Sequence, residues 1–145
     1  MKIKYTLDAG AYDPEKAHYD DAGFDLKLPD TYKGGVTVFA GGYAEINLGV
    51  HMQIPHGYVG MLKSKSGLNV KHQLRGEGVI DAGYIGPIVA KIYNDSQEKA
   101  DYYKFKPGEK VIQIVIIPIP DVEMKRVLTL DDTERMLGGF GSTGK

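Results

Sequence analysis

The sequence has no cysteine and no tryptophan. Without thiols there are no disulfides, no thiolate metal sites and no cysteine nucleophile, and a reducing, cytoplasmic setting is the expectation. Charge of one sign is also missing. Eighteen Lys and Arg stand against nineteen Asp and Glu, a formal net charge of −1. No general basic field exists to hold a nucleic-acid backbone, so nucleic acid is not an expected partner. Nor is there an apolar run near the roughly 20 residues that span a bilayer. Met1-Lys2-Ile3-Lys4 leads directly into an alternating segment, so neither a signal peptide nor a membrane partner is expected. The four histidines, His18, His51, His56 and His72, show no metal-ligand spacing and receive no role. A length of 145 residues suffices for one domain with a real core.

The chain reads as strands almost throughout. In "EINLGVHMQI" (45–54), Ile46, Leu48, Val50, Met52 and Ile54 share one face, and Glu45, Asn47, His51 and Gln53 the other, the pattern of one half-buried strand. "KIKYTL", "VTVF", "YVGMLK" and "IVAKIY" add short strands between Pro-Asp, Gly-Gly and Pro-His-Gly turns. Many short strands with such turns predict an all-β sandwich or barrel. One helix is expected, a turn or two from Ser66 to about Lys71 with Ser66 as N-cap. "VIQIVIIPI" (111–119) is nearly all apolar, so both its faces are covered, either by the second sheet of a sandwich or by another subunit. The last fifteen or so residues read as a separate arm after "DDTE".

Four stretches carry candidate chemistry. "GVIDAGYIG" (78–86) is most simply a hairpin turn with Gly83 at positive φ. Its functional reading is a carboxylate, Asp81, held at a hairpin tip to take a proton from water, with Tyr84 as a flat wall beside it. "KSKSGLNVKH" (63–72) sets two hydroxyls among lysines ahead of a helix, which makes either a phosphate cradle or a capped helix on a solvated strand. "DDAGFDL" (20–26) offers Asp20, Asp21 and Asp25. These are acidic turn residues, or too few carboxylates for a protein-built magnesium cage but enough for an ion held mostly by phosphates and water. Gln113 interrupts its apolar run, so it is hydrogen-bonded in the core or faces a polar cleft. "ADYYKFKPGEK" reads as a surface strand. The tail "RMLGGFGSTGK" (135–145) is harder to treat as mere slack. Its glycines let backbone N–H groups approach an anion, Arg135 can fork two hydrogen bonds to phosphate, and Phe140 can stack on a base.

In order and at the right spacing, "DAGFDL", "KSGL", "GVIDAGYIG", "FKPGEKVIQIVIIP" and "RMLGGFGSTG" resemble the five motifs of the homotrimeric dUTPase family, from about residue 20 to the C-terminus. The resemblance implies a dUTPase-like all-β jelly-roll sandwich (a β-clip) over residues 1–130, and an arm, residues 131–145, closing over an active site of the trimer. It implies hydrolysis of dUTP to dUMP and pyrophosphate, which limits uracil in DNA and supplies dUMP for thymidylate. Asp81 matches the carboxylate that deprotonates the attacking water, and Tyr84 the ring under the deoxyribose. Backbone around Gly78, Val79 and Ile80 matches the uracil-pairing edge. Lys65, Ser66 and Gly67 match the phosphate-binding second motif, and Gln113 a phosphate-side contact of the fourth. Asp25 matches a carboxylate reaching Mg2+ through water. Arg135, Phe140, Gly141, Ser142 and Thr143 match the arm. In the family one subunit brings the first, second and fourth motifs, its neighbour the third, and the third chain its arm. The sequence departs from the pattern at Lys65 and Lys110, where arginine is usual, at Glu109 for aspartate, and at Met136 for glycine. A dCTP deaminase of the same fold is the enzymatic alternative, with Glu77 near the third motif. A dUTPase-fold protein that binds a regulatory protein partner is the other.

Overall fold

The computed structural model describes residues 1–133. Eleven strands and one helix follow in order: β1 (Lys4–Leu7), β2 (Gly23–Lys27), β3 (Val36–Phe39), β4 (Tyr43–Asn47), β5 (Val50–Gln53), β6 (Tyr58–Lys63), α1 (Ser66–His72), β7 (Leu74–Arg75), β8 (Glu77–Ile80), β9 (Val89–Asn94), β10 (Tyr102–Phe105) and β11 (Lys110–Pro118). The all-β expectation holds. The sheets are β2-β11-β6-β8, β4-β9-β7 and the pairs β1-β5 and β10-β3, with every pairing antiparallel. They close on one core that includes Leu26, Leu28, Ile46, Leu48, Ile54, Leu62, Phe105, Ile112 and Ile114. Each fully buried side chain of this kind contributes about 1.5–3 kcal/mol.

The alternation in residues 45–54 reads the burial correctly, since Ile46, Leu48, Val50, Met52 and Ile54 are all buried. The single strand it implied is two. β4 pairs with β9, and β5 turns to pair with β1. The break lies at Leu48-Gly49. Gly49 takes φ +63, and its N–H donates to the Asn47 side-chain carbonyl at 2.9 Å. Periodicity of two survives such a bend because the bend changes partners and not faces.

β11 is a central strand, bonded to β2 on one side and β6 on the other. Val111, Ile112 and Ile114 are buried, while Ile117 and Ile119 are exposed. Within one chain, covering on both faces therefore holds only for the first half of the run. The helix starts as expected and reaches His72, but its N-cap is Lys65, extended at φ −76 and ψ 130, with no side-chain cap bond. Ser66 is the first helical residue, so its hydroxyl does not cap. The "YYKF" strand is not purely superficial either: Phe105 is fully buried, while Tyr102 is exposed. After Pro118 the chain runs exposed and without regular structure to residue 133, held at its start by the Ile119 N–H on the Gly57 carbonyl at 2.8 Å.

Candidate functional site

Two groups of candidate residues form around the β2-β11-β6-β8 sheet. The first sits where β8 runs out. Val79 and Ile80 pair with Met61 and Gly60 of β6, and Gly78 with Leu62. β8 is the outer strand of its sheet, so one side of its backbone faces away from the ladder and is available to pair with something else. Asp81 follows at once, exposed, in the turn closed by the Tyr84 N–H on the Asp81 carbonyl at 3.2 Å. Gly83 takes φ +88 there, the conformation the turn reading required, but the turn closes no hairpin: β8 pairs with β6, while β9 pairs with β4 and β7 in another sheet. Tyr84 donates its hydroxyl to the Pro87 carbonyl at 3.0 Å. Its ring lies over Gly86, where a Cβ would collide with the phenol. Val79, Ile80, Asp81, Tyr84, Pro87 and Val89 line a cleft of about 270 Å³. A carboxylate, an aromatic wall and an open strand edge thus meet in one place.

The second group surrounds Asp25. This carboxylate is only 5% exposed, and it holds two ammonium groups, Lys65 on one oxygen and Lys110 on the other at 2.7 Å. Burial opposes its ionisation, but the bonds and charges of Lys110 and Lys65 outweigh burial and hold its pKa below the ordinary carboxylate value. Lys110 in turn is pushed up, chiefly by its bond to Asp25. It also faces Glu15 at 3.6 Å, which bonds Lys27 at 2.8 Å. Charges therefore alternate from Lys27 through Glu15, Lys110 and Asp25 to Lys65. Glu109, beside Lys110, accepts from the Tyr103 hydroxyl and from the Lys106 N–H at 2.9 Å. Burial first, and then Glu109, push the Tyr103 phenol up to about 12.

Around this pair the backbone is tied down by two side chains, one of them, Gln113, hydrogen-bonded as one of its two sequence readings expected. The Ser64 hydroxyl, read as one of two cradle hydroxyls, donates to the Gly76 carbonyl at 3.1 Å and accepts the Gly76 N–H at 2.9 Å. Gln113 donates its amide to the Ser64 carbonyl at 3.1 Å while lying against Gly23. Both brace the residue next to Lys65. Ser66 and Gly67 stand exposed on the first turn of α1. Asp21 accepts the His18 N–H at 2.9 Å, a turn role. Glu15 had no signal in the sequence, because its partners lie in β2 and at the start of β11.

The two groups do not meet within the chain. Lys63 opposes Glu77 at one end of the β6–β8 ladder, and Gly60 opposes Ile80 at the other. Three residues of strand span on the order of 10 Å. Lys65 lies beyond the first rung and Asp81 beyond the last. Arg135, Phe140, Gly141, Ser142 and Thr143 lie outside the described residues. Among the described residues no cluster of three or more His, Asp or Glu could hold a metal. Both Asp25 oxygens hold an ammonium group in the chain alone, so a divalent ion carried mainly by a ligand's phosphates and waters reaches this carboxylate only by taking an oxygen from one of the lysines.

The profile of the dUTPase family matches residues 10–144. The chain belongs to the dUTPase family. Among its relatives, the deoxyuridine 5'-triphosphate nucleotidohydrolase of Cutibacterium acnes is 36% identical over 134 residues, covering 90% of this chain and 84% of the relative. That of Clostridium acetobutylicum is 35% identical over 147 residues, covering 99% and 96%. Among solved structures, the Staphylococcus bacteriophage 80alpha dUTPase with dUPNHPP superposes with a TM-score of 0.87 at 32% identity, covering 99% of each chain. A dUTPase mutant from phage phi11 of S. aureus, described with a structural Mg(II) ion, superposes with a TM-score of 0.78 at 30% identity, covering 89% of this chain and 98% of that one.

Proposed function

We propose that the chain hydrolyses dUTP to dUMP and pyrophosphate, and that Asp81 is its general base. The observation that carries this reading is the turn after β8: an exposed carboxylate and an aromatic wall beside an open strand edge, in a family-matched chain. The outward backbone of Gly78, Val79 and Ile80 pairs with the uracil edge, and the closeness of the turn after β8 excludes the methyl of thymine. Tyr84 packs under the sugar and leaves no room for a 2′-hydroxyl. Asp81 takes a proton from water as the oxygen bonds to the α-phosphorus. The bond from that phosphorus to the bridging oxygen breaks, and pyrophosphate leaves. Such transfers depend on in-line positioning and charge neutralisation more than on covalent help.

Lys65, Ser66 and Gly67 bind the triphosphate, with Gln113 setting the backbone before them. Asp25 would hold Mg2+ through water once the nucleotide's phosphates draw one of its two lysines away. When bound, Mg2+ neutralises the developing pyrophosphate charge. The arm, residues 131–145, closes the site with Arg135 on phosphate, Phe140 over uracil, and Gly141, Ser142 and Thr143 at the γ-phosphate. The separation of Lys65 from Asp81 along the β6–β8 ladder supports a homotrimer in which one protomer supplies the cradle and another the Asp81 turn. Glu77, the deaminase candidate, is paired with Lys63 at 3.2 Å. The lack of thiols supports a cytoplasmic setting.

Turnover of dUTP, dTTP, dCTP and UTP, each with and without Mg2+, tests the reading. Release of pyrophosphate from dUTP alone, dependent on Mg2+, is the expected result. Ammonia from dCTP, or intact dUTP, overturns it.

A further inference from the structure

The Asp81–Pro87 loop also borders a groove of about 410 Å³, larger than the Asp81 cleft and lined in part by Lys4, Thr6, His51 and Ile85. Its most specific feature is His51, to which sequence spacing gave no role. His51 lies on β5 opposite Thr6. Its Nδ1 is 2.8 Å from the Ile85 carbonyl oxygen and its Nε2 is 3.2 Å from Asp8 Oδ1. Ile85 is the residue between Tyr84 and Gly86, so the imidazole grips the loop at the point where it carries the aromatic wall. β5 also holds the loop further on, through the Ile88 N–H on the Val50 carbonyl at 2.8 Å. Asp8 is fixed by its own N–H on the Gly49 carbonyl at 2.8 Å.

We propose that His51, oriented by Asp8, is a positioning residue that fixes the Tyr84 ring and thereby sets selection of deoxyribose over ribose. The proposal rests on the reading of Tyr84 as the sugar-facing wall. A carbonyl can only accept, so Nδ1 carries a proton. In the neutral ring Nε2 is then a bare acceptor pointed at a carboxylate. Only the imidazolium satisfies both partners. His51 accordingly titrates above the ordinary histidine value, raised first by the Ile85 carbonyl and then by Asp8 against a lowering by desolvation. The charged groups facing it are Asp8, just past the end of β1, and Lys4, two residues before Thr6 on the same face of that strand. Asp81 needs no such brace, because it follows directly from the β6–β8 ladder. Loss of the clamp thus falls on sugar binding and not on proton transfer.

Steady-state kinetics with dUTP and UTP, alongside amide and imidazole NMR of the nucleotide-free full chain, test the proposal. His51→Ala is expected to raise the KM for dUTP about tenfold and lower the dUTP/UTP ratio of kcat/KM by a similar factor, with kcat for dUTP nearly unchanged. His51→Gln keeps an N–H donor for the Ile85 carbonyl, and selectivity returns toward the wild-type value. The neutral ring has one proton for two acceptors, so deprotonation lets that proton move to Nε2 against Asp8 and frees the Ile85 carbonyl. KM is therefore expected to rise at alkaline pH. Asp8→Asn removes the counter-charge and moves that rise to lower pH. If a folded His51→Ala variant retains wild-type KM and selectivity, or if Asp8→Asn leaves the KM–pH profile in place, the proposal is wrong. If the wild-type chain leaves dUTP intact, the proposed function fails separately. The clamp is then read from the Ile85 and Gly86 amide signals, which follow the His51 titration if it exists and stay flat if it does not.

Discussion

Asp25 shows how a single charge organises its surroundings. Replacing it by Asn takes the shared counter-ion from Lys65 and Lys110 and leaves Lys110 with Glu15 alone. Because both lysines still reach water, the expected loss of stability is about 1–3 kcal/mol. Its depressed pKa fixes the sign of the pH dependence. The contribution of Asp25 is fully present above the ordinary carboxylate pKa and is lost as pH falls through its lower folded value. Urea denaturation from pH 7 to below about pH 4 should therefore show a wild-type acid limb that Asp25→Asn flattens. A mutant with the wild-type curve would place the ion pairs elsewhere. Lys65→Arg tests the same cluster from the other side. A guanidinium can fork to phosphate where an ammonium cannot, so KM for the nucleotide should fall while kcat holds. Asp81→Asn should do the opposite, lowering kcat by about 10²–10⁴ while nucleotide binding, measured by calorimetry, persists. Glu15 and His51 illustrate what residue-level reading missed. His51 bonds Ile85 and Asp8, 34 and 43 positions away in sequence. No local pattern encodes a partner at that range.

At the scale of elements, the strands were legible because their alternation is a local property. Ile46, Leu48 and Val50 announce a buried face whatever they pair with, and Gly83 announces its turn because few other residues accept that φ. The division of 45–54 into β4 and β5 was not legible, because pairing with β9 and then with β1 depends on residues far along the chain. The Ser66 cap failed for a related reason: the segment before α1 is already fixed by Ser64 and Gln113, leaving Lys65 at the cap. The Ser64 clasp makes a direct prediction. It joins the end of β6 to the β7–β8 junction through two hydrogen bonds on one hydroxyl. Ser64→Ala should cost about 1–3 kcal/mol in urea unfolding, since Gly76 is buried and loses both partners. An unchanged midpoint would mean that the backbone finds its partners another way.

For the whole molecule, the ends of the β6–β8 ladder decide what must assemble. If one protomer lends Lys65 and another Asp81, then Lys65→Met and Asp81→Asn chains, each inactive alone, should regain activity when unfolded together and refolded as mixtures. Random mixing gives roughly a quarter of the sites both intact residues. No recovery would confine the site to one chain and sink the shared-site reading. Truncation before Arg135 should leave an assembly of unchanged size by light scattering with little turnover, and a fully active truncated protein would exclude the arm as a lid.

The ladder has one more consequence. Hydrogen-bonded rungs do not stretch, so no breathing of a solitary protomer carries Lys65 to Asp81. On the shared-site reading, a newly made chain is chemically mute until it finds its fellows, and nucleotide destruction begins only after quaternary structure is complete. Specific activity then falls on dilution in step with dissociation, which makes catalysis itself a gauge of assembly.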